Sequence, residues 1–228
     1  MKMALDIAFY TCYFGPDDCW SNQVHTPPSK NHPCYYFTNN NKTLETAREM
    51  GWIAVWEPIP VENDEVRDCQ NSKFLRCCPH LVDQLAKHKY LCYLDSKLWV
   101  TDLDRILSIA NDLTDEMPLC LSRHPGEHTT VWTEFNGAML QHRYGQHRER
   151  YQLYMETMLR LGFQDVPLRH CGGFRIQKNG VLSQRIGETW YAHIGRCGIE
   201  DQISWQFVIQ QFPDSYMEIP YKSVWSAV

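Results

Sequence analysis

Residues 89–104 read KYLCYLDSKLWVTDLD: an apolar run closed by one aspartate, then a serine, a lysine and more apolar residues. Tyr90 to Leu94 has the length and composition of a strand buried on both faces. Asp95 ends that strand, and Lys97 follows two residues on. Ligands of open α/β sheets bind outside the carboxyl ends of the strands, so the reading of this aspartate bears on fold and site together. One reading is a strand meeting a loop. The other is a carboxylate, the Ser96 hydroxyl and the Lys97 ammonium facing a metal-bound diphosphate, since Mg²⁺ and Mn²⁺ take oxygen ligands.

Upstream, apolar positions 74, 75, 78, 81, 82 and 85 follow helical spacing, and Pro79 is predicted to kink or split the helix. Lys73 and Arg76 lie three apart on it and share a face, placing two cations beside the Asp95 strand. Downstream, TDLDRILSIAND carries a Thr101–Asp104 capping box and reads as a helix. Further strands are predicted at DIAFYTCYF, PCYYFTNN, WIAVWEPI, MPLCLSRHP and GGFRIQ. Further helices are predicted at KTLETAREM, closed by Gly51, at YGQHRERYQLYMETMLRLG and at EDQISWQFVIQQFP. Strand and helix alternate through the first half as in a parallel sheet, so the expectation is one mixed, mostly parallel α/β sheet flanked by helices.

The chain has 228 residues, 43% of them hydrophobic, which favours one large domain over two small ones. A net charge of −5 argues against bulk phosphate neutralisation, so no nucleic-acid partner is expected. No run of about 18 apolar residues is present, so no membrane span is expected. Ten cysteines show no C-x-x-C spacing, and several sit inside apolar runs. Reduced thiols and a cytoplasmic location follow as the expectation. P-loop, dinucleotide-binding, hydrolase-elbow and zinc-protease motifs are all absent.

Three more clusters carry polar chemistry. Arg123, His124, His128 and Glu134 crowd a short stretch suited to a polyhydroxylated ligand or to a plain surface loop. Gly172 and Gly173 open a strand, permitting close approach to a ligand or a bulge. Asp201 and Gln202 sit in the first turn of a helix, where a carboxylate is favoured and simple capping by Glu200 and Asp201 explains them equally. His193, beside Tyr191 and Ile194, reads most simply as a core histidine.

In order and spacing, FYTCYFGPDD, CYYFTNNN, KFLRCCPHLVDQLAKHKYLCYLDSKL, LSRHPGEHTTVWTE and GGFRI…ETWYAHIGRCGIEDQISW resemble a GT-A-type (Rossmann-like) nucleotide-sugar glycosyltransferase. The resemblance is strongest to the small transferase domains encoded by chlorella viruses and to plant and bacterial hexosyltransferases. It implies transfer of a hexose from a UDP-sugar (UDP-glucose or a UDP-deoxyhexose) to a growing glycan, on a glycoprotein. Residues 1–100 would form the donor half and 101–228 the acceptor half.

Residue by residue, the resemblance puts Thr11, Cys12, Phe14, Thr38 and Asn39 at the nucleoside. It puts Arg76 near the donor sugar or diphosphate and Asp95 in the metal-binding D-x-D position with Mn²⁺ or Mg²⁺, and Lys73, Ser96 and Lys97 join the donor site on the residue reading given above. His124, Gly172 and Gly173 fall on the acceptor side. Asp201, Gln202, Arg76 and Glu134 are the catalytic candidates: a base for an inverting reaction, or a group beneath the anomeric carbon for a retaining one, which the DQ layout favours. Lys97 stands where the second aspartate is usual, so either Asp95 and the phosphates hold the ion with one further ligand such as His193, or metal dependence is weakened. Two other readings remain: a nucleotidyltransferase, disfavoured by the acidic loop YFGPDDCW, and a lectin-like module stacking aromatic rings on sugars. In WIAVW and ISWQF the aromatics fit core positions better.

Overall fold

A computed structural model describes residues 5–16, 22–59, 65–124, 130–167 and 170–227. The first half runs β1 (Ile7–Tyr13), β2 (Cys34–Thr38), α1 (Asn41–Met50), β3 (Ile53–Trp56), α2 (Glu65–Cys77), α3 (Asp83–Ala86), β4 (Tyr90–Leu94) and β5 (Leu98–Val100). The second runs α4 (Leu103–Asp112), β6 (Leu119–Arg123), α5 (Val131–Ala138), α6 (His142–Gly145), α7 (Arg148–Arg160) and β7 (His170–Lys178). It ends with α8 (Val181–Cys197), α9 (Asp201–Val208), β8 (Tyr216–Ile219) and β9 (Trp225–Ala227).

Seven strands form one sheet in the order β3-β2-β1-β4-β7-β6-β8. All neighbours pair in parallel except at β7, which runs antiparallel to both β4 and β6. Strand order reverses at β1, flanked by β2 and β4, and this is the switch point where such sheets bind ligands. The inserted β7 brings its own start, Gly172 and Gly173, to the edge where β1 and β4 end.

The central strands are apolar on both faces because helices cover both. Ile7, Phe9 and Tyr13 of β1 join α4 residues Ile106, Ile109 and Ala110 on one side. Ala8, Tyr10 and Cys12 point the other way and meet Leu75 of α2 and Leu85 of α3. On that second side α8 and α9 pack Ile186, Trp190, Trp205 and Val208 over Leu119 and Leu121 of β6.

Several local expectations hold for the reasons that motivated them. Gly51 ends α1 at φ 98°, in the left-handed region glycine tolerates. Pro79 divides the predicted helix: α2 stops at Cys77, a 3₁₀ turn spans Pro79–Leu81, and α3 follows. Others are corrected. The cap of α4 is Asp102, whose carboxylate accepts from the Arg105 N–H at 3.0 Å, not Thr101. WIAVW is an edge strand in which Ile53 and Trp56 are exposed, and only Trp52 is buried. ISWQF does sit in the core, with Trp205 and Phe207 buried. Among the described residues no helix is long and apolar enough to cross a membrane, and the described cysteines are free thiols.

Candidate active site

Asp95 is placed by hydrogen bonding rather than by chance at a strand end. Its N–H donates to the Gly173 carbonyl at 2.8 Å, continuing the β4–β7 ladder one residue past the strand. Its carbonyl accepts from the Leu98 N–H at 2.8 Å, which turns the chain into β5. The Tyr93 hydroxyl donates to Oδ1 at 2.7 Å. Burial alone would raise the Asp95 carboxyl; the charges of Arg76, Lys73 and Lys97, with the Tyr93 bond, outweigh burial and hold it below the usual carboxylate range.

Opposite, Arg76 projects from the last turn of α2 and is almost fully buried. Its guanidinium donates Nη1 to the Gly172 carbonyl at 2.7 Å and pairs through Nη2 with Asp201 Oδ2. The ring of Trp190 lies 4.6 Å from its Cζ, and that of Tyr93 5.7 Å. Lys73, one turn earlier, reaches the same Asp201 oxygen at 3.0 Å. Burial, then the neighbouring Arg76, push the Lys73 ammonium down to about 8. Asp201 opens α9, capped by Glu200, whose carboxylate accepts from the Gln202 N–H at 3.3 Å.

The glycine pair sits where β7 departs from β6. Register runs Leu121–Arg175 and then Ser122–Cys171, so Gly172, Gly173 and Phe174 bulge out of that pairing. A Cβ on Gly173 would stand 2.8 Å from Asp95 Oδ2 and 3.2 Å from Leu98 Cδ1. Gly173→Ala is therefore expected to displace Asp95 and to weaken nucleotide binding at least about tenfold, read by calorimetry. Unchanged affinity would remove Asp95 from the ligand contacts. His170 holds the start of the bulge: its Nδ1 accepts from Trp205 Nε1 at 3.1 Å, which leaves Nε2–H to donate to Glu218 at 2.9 Å.

These groups surround one cavity of about 570 Å³, within the range of small-ligand sites. Of the sequence candidates, Cys12, Phe14, Lys73, Arg76, Asp95, Ser96, Lys97, Gly172, Gly173, Asp201 and Gln202 line it. The lining draws on both the 1–100 and 101–228 portions of the chain.

Other candidates are placed elsewhere. Thr11 points to the opposite face of β1, beside His25 and Trp99. Asn39 accepts from the Gly15 N–H at 3.1 Å and donates to the Ile59 carbonyl at 3.2 Å, so it braces loops. Thr38 accepts from the Asn40 N–H at 3.1 Å in the same way. Glu134 is bonded to Gln202 Nε2 at 3.0 Å behind the wall, where burial and then the Glu200 charge push its carboxyl up. His193 lies against Tyr154 of α7, with Nδ1 2.6 Å from the Tyr154 hydroxyl, and is not among the lining residues. It is the core histidine that its neighbours implied. His124 follows β6 and is not among the cavity-lining residues, Arg123 bonds Glu218 at 3.0 Å, and His128 lies outside the described residues.

Tyr144, Arg143, Tyr221, Lys222 and Trp225 also line the cavity and went unread in the sequence. The last three arrive because β9 pairs antiparallel with β5, directly after Asp95. No local motif announces such a distant pairing. Within this wall Tyr221 meets Trp225 edge-on at 5.1 Å.

The donor set does not fit a divalent ion held by the protein. Among the described residues no three His, Cys, Asp or Glu side chains gather as ligands. Asp95, the one carboxylate at the strand end, gives Oδ1 to Tyr93 and is already neutralised by Arg76, Lys73 and Lys97.

No protein-family model matches the sequence, and no curated protein does. Solved structures match the fold. One is core-mannan synthase A (CmsA/Ktr4) from Aspergillus fumigatus in its Mn/GDP form, with TM-score 0.54 and 8% identity over 99% of this chain and 75% of that one. Another is the mannosyltransferase Ktr4p from S. cerevisiae, with TM-score 0.51 and 11% identity over 98% of this chain and 70% of that one. The same yeast protein in complex with GDP gives TM-score 0.51 at 10% identity, over 98% and 71% of the two chains. At these identities the likeness establishes the architecture: this chain has the mixed, mostly parallel α/β fold of those mannosyltransferases, at nearly its full length.

Proposed function

We propose that the protein is a glycosyltransferase that moves a hexose from a nucleoside-diphosphate sugar to a hydroxyl of a glycan. The observation that carries this reading is the cavity at the switch point, lined by Lys73 and Arg76, which share Asp201, together with Lys97 and the strand-end Asp95. That is chemistry for a diphosphate leaving group: cations aimed where charge develops as the sugar–phosphate bond lengthens. The fold shared with the mannosyltransferases supports the same reading.

The donor we propose is a UDP-hexose, on the resemblance of the ordered sequence segments. The acceptor is a growing glycan, including one carried on a glycoprotein, and the nine described thiols, all free, support a reducing compartment.

The carboxylates support retention. Asp201 is fixed between Lys73 and Arg76, Asp95 is bonded by Tyr93, and Glu200 caps α9. None stands ready as a base against an incoming hydroxyl. In the retaining route the acceptor oxygen bonds the anomeric carbon on the face the diphosphate leaves. Its proton passes to the departing phosphate oxygen, and Arg76, Lys73 and Lys97 carry the negative charge left there.

Calorimetric titration with UDP and with GDP tests the reading. UDP is expected to bind in the micromolar range, and GDP at least about tenfold more weakly. Preference for GDP would replace the uridine assignment, and failure of both to bind would end the nucleotide-sugar reading.

A further inference from the structure

We infer that the protein neutralises the donor diphosphate with its own side chains, and that nucleotide binding needs no divalent ion. The inference rests on the glycosyltransferase reading above and deepens it.

The first ground is charge. Lys73, Arg76, Lys97, Arg143 and Lys222 line the cavity, against the carboxylates of Asp95, Glu200 and Asp201. Among the described lining residues this is an excess of two positive charges, of the sign that offsets a diphosphate.

The second ground is the arrangement around Asp95. A carboxylate meant for a cation is normally left open to it and joined by further oxygen ligands. Asp95 instead accepts the Tyr93 hydroxyl at 2.7 Å and lies in the field of Arg76, Lys73 and Lys97. Those same cations repel a metal ion approaching that carboxylate. Lys97 follows Asp95 by two residues and lines the same cavity, so a cationic side chain stands at the position where a second carboxylate would be needed.

The third ground is how the cations are held. Lys73 and Arg76 share Asp201, and Arg76 is further fixed by the Gly172 carbonyl and the Trp190 ring. A preorganised guanidinium and ammonium can accept a diphosphate without reorganising, which is what electrostatic stabilisation of a leaving group requires. Asp95 then serves as a positioning residue. It favours the charged forms of Lys73 and Arg76 within a buried site, where like charges alone would push apart.

The test titrates UDP and GDP calorimetrically in excess EDTA and again in excess Mn²⁺. The nucleotide that binds is expected to do so with affinities equal within about threefold in the two conditions. Affinity that appears or rises at least about tenfold with Mn²⁺ overturns the inference and leaves the glycosyltransferase reading standing. Absence of binding in both conditions overturns both.

Lys97→Asp supplies an independent arm, with retained folding checked by thermal melting. It restores the carboxylate pair that a metal needs, so binding in EDTA is expected to fall at least about tenfold and to recover with Mn²⁺. Lys97→Met is expected to lose the same affinity without recovery. If both variants bind in EDTA as the unaltered protein does, Lys97 does not meet the diphosphate and the inference falls.

Discussion

Arg76→Ala is expected to lower stability by about 3–5 kcal/mol, because it removes one partner of a buried ion pair. For a chain of this size that is a fall in melting temperature of roughly 6–20 °C. The loss has several parts. The Gly172 carbonyl loses its donor, Asp201 keeps only Lys73, and the space between Trp190 and Tyr93 empties. Nucleotide affinity is expected to fall at least about a hundredfold with it, since the same guanidinium would meet the diphosphate. Arg76→Lys keeps the charge but not the fork that reaches Gly172 and Asp201 together, so it should recover only part of either loss. Thermal melting and calorimetry on both variants check this. A melting point within about 2 °C of the unaltered protein for Arg76→Ala would show that the pair contributes nothing net.

Gly187→Ala is the substitution expected to damage the fold most among changes that add one methyl group. Gly187 lies mid-helix in α8, against the end of α2. A Cβ there overlaps the Cys77 carbonyl oxygen and stands 3.0 Å from its carbon. Both neighbours are backbone, so the overlap is relieved only by moving one helix off the other. Arg76 sits next to Cys77, so the movement would also reach the site. A cost of about 3 kcal/mol or more is expected, at the upper end of overpacking effects. Gly195, two turns further along α8, has nothing within 4 Å of such a Cβ. Gly195→Ala should therefore stabilise by about 0.5–1 kcal/mol through helix propensity. Opposite signs on one helix, measured by denaturant unfolding, separate close packing from propensity. Equal signs would refute the packing geometry.

The core of the sheet was legible because burial on both faces writes itself locally: IAFYTCY, CYYFT and YLCYL are continuous apolar runs. Asp95 was legible as the interruption that ends such a run, and Lys73 and Arg76 by helical spacing from the strand it closes. Helix α8 was not read as a helix, although it has 17 residues. Gly187 and Gly195 interrupt its propensity, and its polar positions lie among aromatic ones. Thr38 and Asn39 were placed at the ligand because strand ends are where ligands bind. The sequence does not say which way a side chain turns there, and both turn into loop hydrogen bonds. Tyr221, Lys222 and Trp225 reach the site through a pairing between β5 and β9 that has no local signature.

The antiparallel insertion of β7 also has a consequence in time. During synthesis the first four strands of the sheet, β1 to β4, can emerge and pair with one another, as βαβ units do. Asp95 then has neither the Gly173 carbonyl nor the Arg76–Asp201 anchor beside it. The carbonyl arrives only when β7 threads between β4 and β6, the anchor only when α9 docks, and the wall with Lys222 and Trp225 only when β9 reaches β5. Long-range pairings of this kind form late. A chain that stops before β7 thus carries the switch-point half of the sheet without the residues that complete the cavity.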